Sequence, residues 1–176
     1  MKSRIIISRA ILFTLSAAAA IAAVACTSMF EDKDFGLASF SFKGCISTKA
    51  PEGDYSVEKS KAGTLHLQSK NGNLRITLSG LEDNCSIKEG FDCRAIMEGS
   101  FIYVYVTAKE LEMSANCICN VGDIVTELSG LQNDEYKLIY NYKSTHMDIT
   151  QEVTFNYSSV LNKKVDFERT MYVVYN

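Results

Sequence analysis

The chain has 176 residues, with 18 Lys and Arg against 21 Asp and Glu, and a net charge of −3. One Pro, no Trp, nine Tyr and nine Phe describe a globular chain without a low-complexity linker. Acidic balance without a clustered basic surface speaks against a nucleic-acid partner, because backbone binding needs concentrated Lys and Arg.

The first 25 residues read as a removable secretory signal, expected to be helical. Lys2, Arg4 and Arg9 supply the positive start, Ile11 to Ala25 carry no charge, and small residues stand before the expected cut. The run from Ala10 to Cys26 is 17 residues long, and its second half is largely alanine, which disfavours a permanent transmembrane helix. Removing residues 1–25 leaves 151 residues with a net charge of −6, enough for one domain.

Ala23-Val24-Ala25-Cys26 resembles the lipobox of bacterial lipoproteins, with Ala23 where Leu is usual. The resemblance implies cleavage before Cys26, lipidation of its thiol, and a membrane as partner through the N-terminal lipid. Several acyl chains hold a protein stably on a bilayer where one holds it marginally. No Asp follows Cys26, which by analogy with lipoprotein sorting favours the outer membrane, on its periplasmic or outer side. Glu31-Asp32-Lys33-Asp34 is similar to the export signals of surface lipoproteins in the Bacteroides group, and reads equally as a solvated tether. Residues 26–36 are therefore assigned to a lipidated tether and 37–176 to the folded domain.

Within that domain the periodicity is two, not 3.6. Phe40 and Phe42 alternate with serines, as do Leu65 and Leu67 with polar residues. Leu74, Ile76 and Leu78 continue the pattern, and Asn71-Gly72 between the last two runs predicts a two-residue hairpin. Gly99-Ser100 introduces Phe101 to Thr107, in which Phe101, Tyr103 and Tyr105 share one face and Ile102, Val104 and Val106 the other, as in a central strand. Further strands are expected over Ile124–Leu128, Tyr136–Tyr142, Ile149–Tyr157 and Lys164–Tyr175. The expectation is an all-β fold, a single antiparallel β-sandwich.

Leu78-Ser79-Gly80-Leu81 recurs as Leu128-Ser129-Gly130-Leu131, and convergence on one strand-to-turn chemistry explains this better than duplication. Gly130-Leu131 followed by Tyr136 resembles the Gly-Leu-x-x-Gly-x-Tyr turn of transthyretin-like and immunoglobulin-like sandwiches. That resemblance implies a Leu plugging the core and a Tyr opening the next strand.

Five cysteines follow Cys26: Cys45, Cys85, Cys93, Cys117 and Cys119. An extended segment 116–120 would project Cys117 and Cys119 from one face, within reach of the loop carrying Cys85 and Cys93. Two disulfides within that group of four are the main reading, a four-thiolate zinc site the alternative, and Cys45 is then left as a free thiol. The spacing of these cysteines fits zinc poorly, and a Cys-x-Cys redox role lacks a helix N-terminus to lower a thiol pKa. Asn84-Cys85 and Asn116-Cys117-Ile118-Cys119, ahead of 123–128 and Gly130-Leu131, also resemble small cysteine-bearing lipoproteins of Bacteroides-like bacteria. This likeness implies location and fold, with no activity attached.

Catalytic motifs are missing: there is no Gly-x-Ser-x-Gly elbow, no His-Glu-x-x-His and no phosphate-cradling loop. His66 on a polar strand face and His146 in a surface loop read as solvated side chains. No cofactor is implied. Tyr136, Leu138, Tyr140 and Tyr142 share one strand face, which reads as core, with a sugar-binding platform as the alternative. The function expected is a non-enzymatic envelope or surface lipoprotein with a protein or glycan ligand; a small metal-binding or thiol-redox lipoprotein is the second reading.

Overall fold

The computed structural model describes residues 34–49, 63–87, 90–109 and 117–166. The signal and lipidation site read from residues 1–26, the acidic cluster up to Lys33, and the part of the last predicted strand beyond Asp166 lie outside them. Among the described residues twelve strands are present: β1 (Gly36–Phe42), β2 (Cys45–Lys49), β3 (Thr64–Lys70), β4 (Asn73–Ser79), β5 (Glu82–Asn84), β6 (Gly90–Glu98), β7 (Phe101–Lys109), β8 (Ile118–Val121), β9 (Ile124–Ser129), β10 (Glu135–Lys143), β11 (Asp148–Asn156) and β12 (Asn162–Asp166). They form a five-stranded sheet, β1-β9-β4-β3-β12, a four-stranded sheet, β11-β10-β7-β6, and a three-stranded sheet, β2-β8-β5. The all-β expectation holds.

Alternation builds the core directly. Leu65 and Leu67 of β3, Leu74, Ile76 and Leu78 of β4, and Ile124 and Leu128 of β9 are buried. From the four-stranded sheet come Ile102, Val104 and Val106 of β7 and Leu138, Tyr140 and Tyr142 of β10, and all of these belong to one apolar cluster. Their polar neighbours point away, as period two requires.

The Asn71-Gly72 hairpin forms as expected: Lys70 pairs with Asn73, and Asn71 and Gly72 have φ of 53° and 78°, the positive pair that a type I′ turn demands. The repeated Leu-Ser-Gly-Leu motif takes the same conformation twice, closing β4 and β9 with Gly80 and Gly130 at φ 71° and 83° and burying Leu81 and Leu131. Since β4 and β9 are antiparallel neighbours, the two leucine plugs close opposite ends of the same ribbon.

Two features correct the sequence reading. The four-stranded sheet is mixed, because β10 runs parallel to β7 while its other pairs are antiparallel. The connection from β7 to β10 runs through β8 and β9 in the other sheets, so no crossover helix is needed. The second feature is a crease. Adjacent strands β1, β9 and β4 are followed or preceded across one short break by β2, β8 and β5, which keep the same order. The breaks fall at Lys43-Gly44, Gly122-Asp123 and Gly80-Leu81, and hydrogen bonds from Lys43 N to Asp123 O (3.1 Å), Gly122 N to Gly44 O (3.0 Å) and Val121 N to Leu81 O (2.9 Å) carry the pairing through them. Glycine is required at 122, where a Cβ would stand 2.8 Å from the Lys43 carbonyl oxygen.

Candidate functional site

The three-stranded sheet is where the cysteines act. Cys45, opening β2, is bridged to Cys119 of β8, and Cys85, just after β5, is bridged to Cys117, just before β8. The Cα separations are 5.5 and 5.6 Å. The central strand is therefore stapled to both of its neighbours through the Cys-Ile-Cys segment. This corrects the expected free thiol: Cys45 is paired, and Cys93 is the free cysteine among the described residues. The reason is topological. Cys45 and Cys119 are 74 residues apart but sit on adjacent strands, whereas Cys85 follows β5 of the three-stranded sheet and Cys93, close to it in sequence, lies on β6 of the four-stranded one. The four-thiolate zinc alternative falls with it, since Cys85, Cys117 and Cys119 are all in bridges. Among the described residues no group of three or more His, Cys, Asp or Glu could hold a metal ion.

Cys93 faces inward from β6 opposite Val106, its Sγ 3.7 Å from the hydroxyl of the buried Thr126 on β9. Burial pushes its thiol above the ordinary value of 9.0, the Thr126 contact opposing only in part. Tyr140, fully buried nearby, is pushed further up by burial, with Cys93 adding to the effect. A thiol held neutral in this way is a poor nucleophile, which speaks against a redox role.

A second polar group lies in the interior beside the Cys85–Cys117 bridge. Asp83, Asn84 and Ser86 are all buried. Asp83 accepts from the Tyr142 hydroxyl and from Asn84 N, each at 2.7 Å, and Asn84 Oδ1 accepts from Ser86 N at 2.9 Å. A buried carboxylate held by donors on two sides ties the four-stranded sheet to the three-stranded one. No sequence signal other than the Asp-Asn pair at a strand end marked it.

The aromatic platform read from Tyr136, Leu138, Tyr140 and Tyr142 is not available to a ligand, since all four are buried. Exposed aromatic side chains are found instead at Phe42 of β1 and at alternate positions of β7. Phe101 is 42% and Tyr105 40% exposed, with Tyr103 half-buried between them. Cross-strand pairing sets Arg94 beside Tyr105 and Ile96 beside Tyr103 on one side, and Ile139 and Asn141 on the other. Aromatics on one face and β-branched aliphatics on the other are visible in the sequence of 101–107, so this surface was within reach of sequence reasoning.

Charges on this outer face are mostly paired: Lys109 with Asp92 (2.7 Å), Lys137 with Glu152 (2.5 Å) and Lys143 with Asp148 (3.9 Å). Arg94 and Glu98, both exposed, take part in no ion pair among the described residues. A groove of about 290 Å³ lies beside Arg94, lined by Asp92, Cys93, Arg94, Tyr105 and Thr107. Neither histidine is near it: His66 on β3 contacts Asn162 Oδ1 at 2.6 Å, and His146 sits in the 144–147 turn.

No family model matches the chain, and neither the curated proteins nor the solved structures contain a significant match to it.

Proposed function

We propose that this chain is a non-enzymatic lipoprotein of the bacterial cell envelope, anchored through an acylated Cys26. In this reading it presents a disulfide-stapled β-sandwich of immunoglobulin-like or transthyretin-like type for binding or assembly. The anchor rests on Ala23-Val24-Ala25-Cys26 at the end of an uncharged run. The sandwich type draws support from Leu131, which plugs the core, and from Tyr136, whose hydroxyl accepts from Gln132 N at 3.2 Å, much as the corner tyrosine of such folds binds upstream backbone.

The observation that carries the binding role is the open face of β6 and β7. There an unpaired Arg94 stands beside exposed Tyr105, and an unpaired Glu98 beside exposed Phe101, on a face whose other described cations are each held by a carboxylate. Aromatic and Arg side chains left uncovered together are the composition of an interface core.

Mass spectrometry of the chain recovered from its native membrane tests the anchor. The expected product begins at an acylated Cys26, and Cys26→Ala moves the protein to the soluble fraction. An unmodified Cys26, or retention of residues 1–25, overturns it. For the face, Phe101→Ser with Tyr105→Ser is expected to keep the thermal midpoint and lose association; unchanged association rejects this surface.

A further inference from the structure

The four-stranded sheet has two edges, and they are finished differently. On β11 the Thr154 carbonyl accepts from Lys163 Nζ at 2.6 Å and the Glu152 carbonyl from Gln151 Nε2 at 3.2 Å, so side chains occupy backbone groups of that edge. The other edge is β6, nine residues long, hydrogen-bonded among the described residues to β7 alone. Among the described residues no side chain caps its backbone. An uncapped strand of this length is a template for a further strand. Its first residues are covered, because the Phe42 ring lies over Gly90 and packs edge-on against Phe91 with centroids 5.3 Å apart. Further along, the inward-facing Ala95 and Met97 are only half-buried, and Arg94 and Glu98 carry their unpaired charges outward.

We infer that β6 pairs antiparallel with β6 of a second copy of this chain, centred on Ile96. This rests on the binding role proposed for the face and names its partner. The charges select both partner and register. Residues directly opposite in an antiparallel pair share a face, so centring on Ile96 sets Arg94 against the second copy's Glu98, and Glu98 against the second copy's Arg94. Ile96 meets its own counterpart, and on the inner face Ala95 meets the second copy's Met97. One two-fold axis thus gives each exposed, unpaired charge of β6 one opposite partner, in two symmetric ion pairs.

Neighbouring registers fail. Centring on Ala95 sets Arg94 against Ile96 and brings Asp92 against Glu98, two like charges. Centring on Cys93 sets Arg94 against Asp92, which Lys109 already holds, and drives the pair into the end that Phe42 covers. Odd shifts put inward residues opposite outward ones. The Ile96-centred pair is isologous and closes at two copies, giving one continuous sheet of eight strands, β11-β10-β7-β6 followed by its mirror order. The groove beside Arg94 and Tyr105 then receives the second copy's Glu98 carboxylate.

Sedimentation velocity on the detergent-solubilised full chain tests this. The wild type is expected to dimerise with rising concentration. Arg94→Glu and Glu98→Arg each set like charges opposite one another twice and should weaken the dimer by about tenfold or more. An equimolar mixture of the two variants restores it, since each then meets its opposite. Ile96→Cys should form a disulfide-linked dimer on mild oxidation, whereas Tyr103→Cys, one strand in from the edge, should not; this readout stands even if a charge variant fails to fold. A wild type that stays monomeric, dimerisation indifferent to both charge reversals, or a mixture as weak as its components overturns the inference. A monomer would leave the acylation of Cys26, read separately by mass, untouched and would assign the face to a different partner.

Discussion

The hydroxyl of Tyr142 donates to Asp83 Oδ2 at 2.7 Å across the interior, so a phenol of the four-stranded sheet satisfies a carboxylate at the end of the three-stranded one. Removing that donor takes a hydrogen bond from a buried carboxyl group, which costs more than the bond itself contributes. Tyr142→Phe is expected to lose about 2 kcal/mol in urea unfolding with an unchanged m-value. A loss below about 0.5 kcal/mol would mean that Asp83 does not depend on this donor.

Each disulfide should contribute through the chain entropy of the unfolded state. With separations of 32 and 74 residues and one bridge nested inside the other, opening Cys85–Cys117 or Cys45–Cys119 alone should cost about 4 kcal/mol in either case. Denaturant unfolding of Cys85→Ala/Cys117→Ala and of Cys45→Ala/Cys119→Ala checks the near-equality. A bridge whose removal costs nothing would contradict the pairing.

Alkylation after unfolding without reductant should label Cys93 and spare Cys45, Cys85, Cys117 and Cys119. The same peptide map reports on Cys26, which stays unlabelled if it is acylated and gains a second label if it is a thiol.

Cys93 also sets a pH dependence. Its folded pKa lies above the unfolded one, so the stability it contributes is fully present below the unfolded value, near pH 8.5–9, and is lost as pH rises through the folded value. Thermal midpoints should therefore fall above about pH 9, and fall less in Cys93→Ala, which has no thiol to ionise. Parallel curves for the two proteins would remove Cys93 as the cause.

At the crease, Gly122→Ala places a methyl 2.5 Å from Lys43 Cβ and 2.8 Å from its carbonyl oxygen. Because backbone must move, the expected cost is about 1–3 kcal/mol. Gly72→Ala meets no atom within 4 Å but holds φ 78°, so its cost should come from backbone strain alone.

Local pattern carried the strands that alternate cleanly, such as Leu65–Leu67 and Leu74–Leu78, and the turn at Asn71-Gly72, because those signals lie within a few residues. It did not reveal β2, β5 or β6. Cys45–Lys49 is nearly all exposed, and Glu82–Asn84 is a three-residue strand of polar residues. β6 alternates charged Asp92, Arg94 and Glu98 with small or sulfur-bearing side chains, so its apolar face is weak. The parallel pairing of β7 with β10 and the partner of Cys45 depend on which strands the topology makes neighbours, and periodicity along one strand carries no such information. For the face proposed to bind, the residues of β7 were legible, whereas the isolation of Arg94 and Glu98 is a fact about three dimensions.

Cys45 also governs how the domain answers mechanical load. A pull applied through the segment before Gly36 enters β1 at the end where Gly36 meets Ser129 and unzips it residue by residue from β9. The tear runs as far as Phe42 and then reaches Cys45, where the next link to the central strand is covalent. Only the nine residues from Gly36 to Gly44 can be drawn out before force passes into the Cys45–Cys119 bond and is shared with Cys85 through Cys117. Tension on the N-terminal side thus draws out a short, fixed length of chain and leaves the rest of the domain folded.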